Sequence, residues 1–98
     1  MPPSILVVED DPSALHYFAD ALAAPEDAYR IATAGSLGEA RRLLDQDPPD
    51  VLLVDIGLPD GSGLDLIRAA RERHPNVLPL VITVFGDEAS VILSLIHI

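Results

Sequence analysis

Three carboxylates in this chain stand where apolar runs stop. Glu9 and Asp10 follow Ser4–Val8 (SILVV), and Asp55 follows Val51–Val54 (VLLV). A hydroxyl, Thr83, stands toward the end of a further run in "PLVITVF". A carboxylate at the end of a buried strand is costly unless something balances its charge. Like charges gathered in one crevice raise one another's pKa unless a cation sits among them. The donors are all oxygen, with no His or Cys near them, so a hard cation such as Mg2+ suits the set. An aspartate in such a setting can also be a nucleophile toward phosphorus, forming an acyl phosphate. Phosphoryl transfer depends mainly on positioning and charge neutralisation, which acids around a cation supply. Asp55 is the best nucleophile of the three, because the glycine-rich loop after it (IGLPDGSG) leaves room for a phosphoryl group.

The elements that must position these groups alternate in period. Ser4–Val8 reads as a strand, and Asp11-Pro12 as the N-cap and first residue of a helix over Ser13–Ala24 with Leu15, Phe18 and Leu22 on one face. Tyr29–Thr33 reads as a weaker second strand. Ser36 with Glu39 forms a capping box for a second helix, whose apolar face is Leu37, Ala40, Leu43 and Leu44 and which stops at Pro48-Pro49. Val51–Val54 is apolar on both faces, as a central parallel strand is. Gly63–His74 reads as a third helix with Leu64, Ile67 and Ala70 inward and an arginine-rich outer face, closed by Pro75. Val77–Val84 is the fourth strand, after which Asp87 and Glu88 open a fourth helix. Regular β-α alternation predicts an α/β fold, a doubly wound parallel sheet with helices on both faces. In such sheets ligands bind outside the carboxyl ends of the strands, at the point where strand order reverses. If the first and third strands are neighbours, Glu9, Asp10 and Asp55 share that crevice, and Thr83 lies on the same edge.

Bulk properties set the outer limits. The chain has 98 residues, 49% of them apolar, enough for one small domain. Its net charge of −10, from 6 basic and 16 acidic residues, argues against direct contact with nucleic acid. It has no cysteine, which excludes disulfides and thiolate metal sites and fits a cytoplasmic setting. No apolar run is long enough for a membrane span, and no basic segment followed by an apolar one marks a secretory signal.

The segments "ILVVEDDP", "VLLVDIGLPDGSGLDLI" and "PLVITVFGDE" resemble, in that order and on the matching elements, the receiver domain of two-component response regulators. The resemblance covers roughly residues 4–91. It implies a flavodoxin-like fold with strand order 2-1-3-4-5, of which this chain holds 2-1-3-4. Carried over residue by residue, it makes Glu9 and Asp10 the acidic pair of an Mg2+ site, Asp55 the phosphoacceptor and a further metal ligand, Gly57 a metal ligand through its backbone carbonyl, and Thr83 the switch hydroxyl. It implies a sensor histidine kinase as phosphodonor, a homodimer formed on phosphorylation, and a signalling domain rather than an enzyme. "TVFGDE" is similar to receivers of LuxR-type transcription regulators, which implies a transcriptional output through a DNA-binding domain outside this segment.

The chain also departs from that pattern. The family continues with a fifth strand ending in a lysine and then a fifth helix, and this chain contains no lysine. Leu93–Ile98 (LSLIHI) resembles the in-frame translation of a sequencing-library adapter, so residues 1–92 are read as a partial receiver and residues 93–98 as a non-native tail. An unusually apolar fourth helix is the alternative. With no fifth strand, the fourth becomes an open edge, and the isolated chain is expected to be marginally stable or prone to association.

Plainer roles compete for each residue. Asp55 can simply bond the turn after it, Asp10 can help to cap the first helix, and Thr83 can be an ordinary strand residue. Asp11 is read as a cap and left out of the ligand set, and His16 and His74 are read as surface residues. Two other functions have less support. An aspartyl phosphatase of the haloacid dehalogenase type needs Asp-x-Asp after its first strand, which "VVEDDP" does not offer. A flavin carrier needs hydroxyls and glycines there, where this chain has acids. A degenerate receiver serving only as a protein-interaction module is the remaining alternative; the retained Asp10, Asp55 and Thr83 argue against it, although the missing lysine would make this chain behave so.

Overall fold

The computed structural model describes residues 2–23, 28–55, 57–58, 60–85 and 90–95, with the backbone alone for residues 82–85 and 90–95. Its elements are β1 (Ser4–Val8), α1 (Pro12–Leu22), β2 (Arg30–Ala34), α2 (Leu37–Gln46), β3 (Val51–Asp55), β4 (Gly57–Leu58), β5 (Gly61–Ser62), α3 (Gly63–Arg73), β6 (Leu78–Phe85) and β7 (Ser90–Leu95). One sheet has the order β2-β1-β3-β6-β7, and β4 with β5 makes a separate two-stranded hairpin. The first four strands of that order pair in parallel, so the expected arrangement of long strands, 2-1-3-4, is the observed one with β6 as the fourth.

Each helix begins as its sequence directs. Asp11 accepts from the Ser13 N–H ahead of α1, Ser36 from the Glu39 N–H ahead of α2, and Ser62 from the Leu64 N–H ahead of α3. Asp65 in the first turn of α3 and Arg71 and Arg73 in its last turn complement the helix dipole.

The core lies in two layers. Leu6, Val8, Leu52, Val54 and Val81 meet Leu37, Ala40 and Leu44 of α2 and Leu66, Ile67 and Ala70 of α3. On the other face Ile5, Val7 and Leu53 meet Phe18 of α1. Alternate residues of β1 and β3 thus enter opposite layers, so both strands are buried on both sides.

Two expectations are corrected at the end of the chain. Asp87 and Glu88, read as opening a fourth helix, lie outside the described residues, and from Ser90 the chain is extended. β7 runs antiparallel to β6, with Ser90 opposite Phe85 and Leu95 opposite Leu80. The fourth strand is therefore paired along its outer side, not an open edge. The physical reason is non-local. The free backbone groups of β6 need partners, and "SVILSL" is rich in residues that favour a pleated surface. His74 is also less exposed than a surface reading implies. Its ring keeps 20% of its accessibility and meets Asp45 at 3.1 Å, with Arg73 on the other Asp45 oxygen at 3.0 Å. This links the last turn of α2 to the end of α3.

Candidate metal and phosphoryl site

Strand register brings the acids together. Val8 lies opposite Val54, so the next residues, Glu9 and Asp55, emerge side by side at the carboxyl end of the sheet. The register is held at the far end by a reciprocal pair. The Ser4 N–H donates to Asp50 Oδ2 at 2.8 Å, and the Asp50 N–H donates to Ser4 Oγ at 3.0 Å. One carboxylate oxygen from each of Glu9, Asp10 and Asp55 falls within 4.8 Å of the others.

The three acids differ in surroundings. Glu9 is 3% exposed, Asp55 is half-buried and Asp10 is exposed. The Glu9 backbone N–H donates to the Ala34 carbonyl at 3.0 Å, which ties this end of β1 to β2. Glu9 Oε1 accepts from the Asp11 N–H at 3.1 Å, whereas Glu9 Oε2 is buried with no partner among the described residues. Burial pushes the Glu9 carboxyl up from 4.5 to about 7; the Asp11 N–H opposes this, and the Asp55 charge adds to it. None of the ion pairs among the described residues involves Glu9, Asp10 or Asp55. A buried acceptor without a donor, inside a cluster of all-oxygen ligands, fits a hard divalent cation.

The loop after Asp55 is built by close approach. The Gly57 N–H donates to Asp55 Oδ1 at 3.3 Å, and Gly57 and Leu58 pair with Ser62 and Gly61 across the hairpin. Leu58 is buried in the core on the α2 and α3 side. A Cβ on Gly63 would collide with the Asp55 carbonyl oxygen, so only glycine lets α3 start against the end of β3. Thr83 belongs to β6, one residue beyond Ile82, which lies level with Asp55. Its side chain lies outside the described residues.

One acid that sequence reasoning passed over also shapes this region. Asp60, at the turn of the hairpin, accepts from the Leu37 N–H at 2.9 Å and the Gly38 N–H at 3.1 Å. In sequence it is only an Asp between Pro and Gly, which signals a turn and gives no hint of a partner more than twenty residues away.

The sequence profile of the response regulator receiver domain matches residues 5–96. The transcriptional regulatory protein KdpE of Staphylococcus aureus is 37% identical over 95 residues, which are 97% of this chain and 40% of KdpE. The chain thus spans less than half the length of that relative. The response regulator TrrA of Thermotoga maritima, solved in complex with Mg2+-BeF, matches with a TM-score of 0.72 at 29% identity, over 81% of this chain and 66% of that one. A DNA-binding response regulator of the LuxR family from Staphylococcus aureus has a TM-score of 0.76 at 24% identity, over 86% of this chain and 70% of that one, a likeness of fold.

Proposed function

This chain belongs to the response regulator receiver domains, phosphorylation-switched signalling modules rather than stand-alone enzymes, and from that premise we propose that Asp55 is its phosphoacceptor. In this reading Glu9, Asp10 and Asp55, with the backbone carbonyl of Gly57, hold Mg2+. The observation that carries it is the cluster of three strand-end carboxylates within 4.8 Å, one of which has a buried oxygen without a donor. The solved TrrA complex with Mg2+-BeF supports the choice of cation.

The chemistry follows from the residues. An Asp55 carboxylate oxygen attacks phosphorus in line with the leaving group. A phosphohistidine of a sensor kinase supplies the phosphoryl group; its P–N bond breaks and the electron pair stays on the imidazole nitrogen. The product is a mixed anhydride on Asp55. Mg2+ held by Glu9, Asp10 and Asp55 would supply charge neutralisation for the transfer. Glu9 and Asp10 would hold the metal side of the crevice, and a Cβ on Gly57 would meet nothing within 4 Å, which is consistent with room for a phosphoryl group beside Asp55. Thr83, in β6 one residue beyond the level of Asp55, is in this reading the hydroxyl that turns toward the new phosphoryl group. The acyl phosphate then shifts a two-state equilibrium that a partner surface reads. A transcriptional output, a phosphorylation-dependent homodimer and a cytoplasmic setting belong to the same reading. Among the described residues no helix is long and apolar enough to cross a membrane.

Labelling with acetyl phosphate tests the proposal. Incorporation is expected with Mg2+, and is expected to vanish on chelation and in Asp55→Asn. A folded chain that takes no label under any of these conditions is a protein-interaction module instead.

A further inference from the structure

The N-terminus of α2 is capped twice. A helix leaves its first N–H groups without intrahelical partners. Ser36 takes the Glu39 N–H at 3.2 Å, a local cap like those of α1 and α3. The Leu37 and Gly38 N–H groups go to the two oxygens of Asp60, from another element altogether. Those two bonds, at a positively polarised helix end, hold the Asp60 carboxyl below its ordinary range. The adjoining residue makes a second close approach to the same place. Gly61 has φ of 147°, and a Cβ there would stand 2.7 Å from Leu37 Cδ1. The hairpin therefore touches the first residue of α2 through both its backbone N–H and its side chain.

We propose that Asp60 is a positioning residue: it clamps the hairpin after Asp55 to the N-terminus of α2 and so fixes Gly57 beside Asp55. Three anchors divide the work. Gly63 abuts the Asp55 carbonyl at the base, Leu58 is sunk in the core in the middle, and Asp60 holds the turn. The first two fix where the hairpin starts and how deep it lies. Among the described residues only the third ties the turn to a separate helix by hydrogen bonds, and without it the turn keeps its own ladder and the apolar contacts of Gly61 and Leu58. That the clamp thereby sets metal affinity rests on the ligand set proposed above.

The test compares the 98-residue chain with Asp60→Ala, Asp60→Asn and Ser36→Ala by amide hydrogen exchange without metal and by Mg2+ titration. Ser36→Ala weakens the same helix end without touching the hairpin. Asp60→Ala is expected to speed exchange at Gly57, Leu58 and Ser62 by roughly tenfold or more, the scale of a lost hydrogen bond to a charged acceptor. Asp60→Asn, which keeps one acceptor oxygen, is expected to fall between and carries the test if the alanine variant unfolds. Ser36→Ala is expected to speed exchange in the first turn of α2 alone. Weaker Mg2+ binding is expected in the Asp60 variants and not in Ser36→Ala. Unchanged hairpin exchange in both Asp60 variants overturns the proposal, as does equal acceleration in Ser36→Ala. If the Asp60 variants loosen the hairpin but the wild-type chain binds no Mg2+, the clamp stands and the metal reading falls.

Discussion

Replacing Glu9 with Gln should make the metal-free protein more stable at pH 8 and change little near pH 4. Glu9 is buried, Oε2 has no donor, and its carboxyl is raised from 4.5 to about 7. Between those two values the folded chain keeps a proton that the unfolded chain has lost. Stability is then expected to fall as pH rises through this window, and to be flat with respect to Glu9 above it. At about 1.4 kcal/mol per pH unit, the difference amounts to about 3 kcal/mol by pH 8. Gln keeps the acceptor for the Asp11 N–H, carries no charge, and turns the orphaned position into a donor facing Asp10 and Asp55. Urea unfolding of both proteins at pH 4, 5, 6, 7 and 8, with a chelator, measures the gap between them, in which titrations common to both largely cancel. Mg2+ in large excess at pH 8 should narrow the gap, because a ligand that binds only the folded state stabilises it, by about 2.7 kcal/mol at a hundred times Kd. A gap independent of pH, or a Gln variant less stable than wild type at pH 8 without metal, would refute the reasoning.

Two further substitutions follow from packing. Gly63→Ala drives a methyl into the Asp55 carbonyl oxygen and brings it to 3.0 Å from Val54 Cγ2, so a loss of about 1–3 kcal/mol or more is expected in urea unfolding, with shifted amide resonances at Asp55. Leu66→Ala empties a fully buried position between α3 and the sheet, and a loss of about 2–5 kcal/mol is expected by the same measurement.

The parts of this protein that were legible in its sequence are those fixed by local pattern. Asp11 and Ser36 mark in the sequence the starts of the helices they cap, and the unbroken apolar runs before Glu9 and Asp55 read as strands, the second of them as a central one buried on both faces. Because β1 and β3 are neighbours, the two run ends had to meet, and the acidic cluster followed. What stayed hidden is non-local. Nothing within "SVILSL" says that it will pair antiparallel to β6, since the demand comes from that strand's unsatisfied edge. Asp60 reads as a turn residue because its partners, the first N–H groups of α2, lie more than twenty residues away. Leu66 was likewise passed over, because helical spacing from Gly63 pointed to Leu64 and Ile67, whereas the packed face includes Leu66 and leaves Leu64 half-buried. The Asp45–His74 link escaped for the same reason as Asp60: it joins two helix ends that only the folded chain brings together.

The central claim is that Asp55 accepts a phosphoryl group in an Mg2+-dependent step. Its most direct test is to treat the chain with acetyl phosphate, reduce the acyl phosphate with borohydride, and locate the modified residue by peptide mass. Modification at Asp55, present with Mg2+ and absent with chelator, is the predicted result. Modification that centres on Asp10 or another carboxylate, or that proceeds equally without Mg2+, would contradict the account.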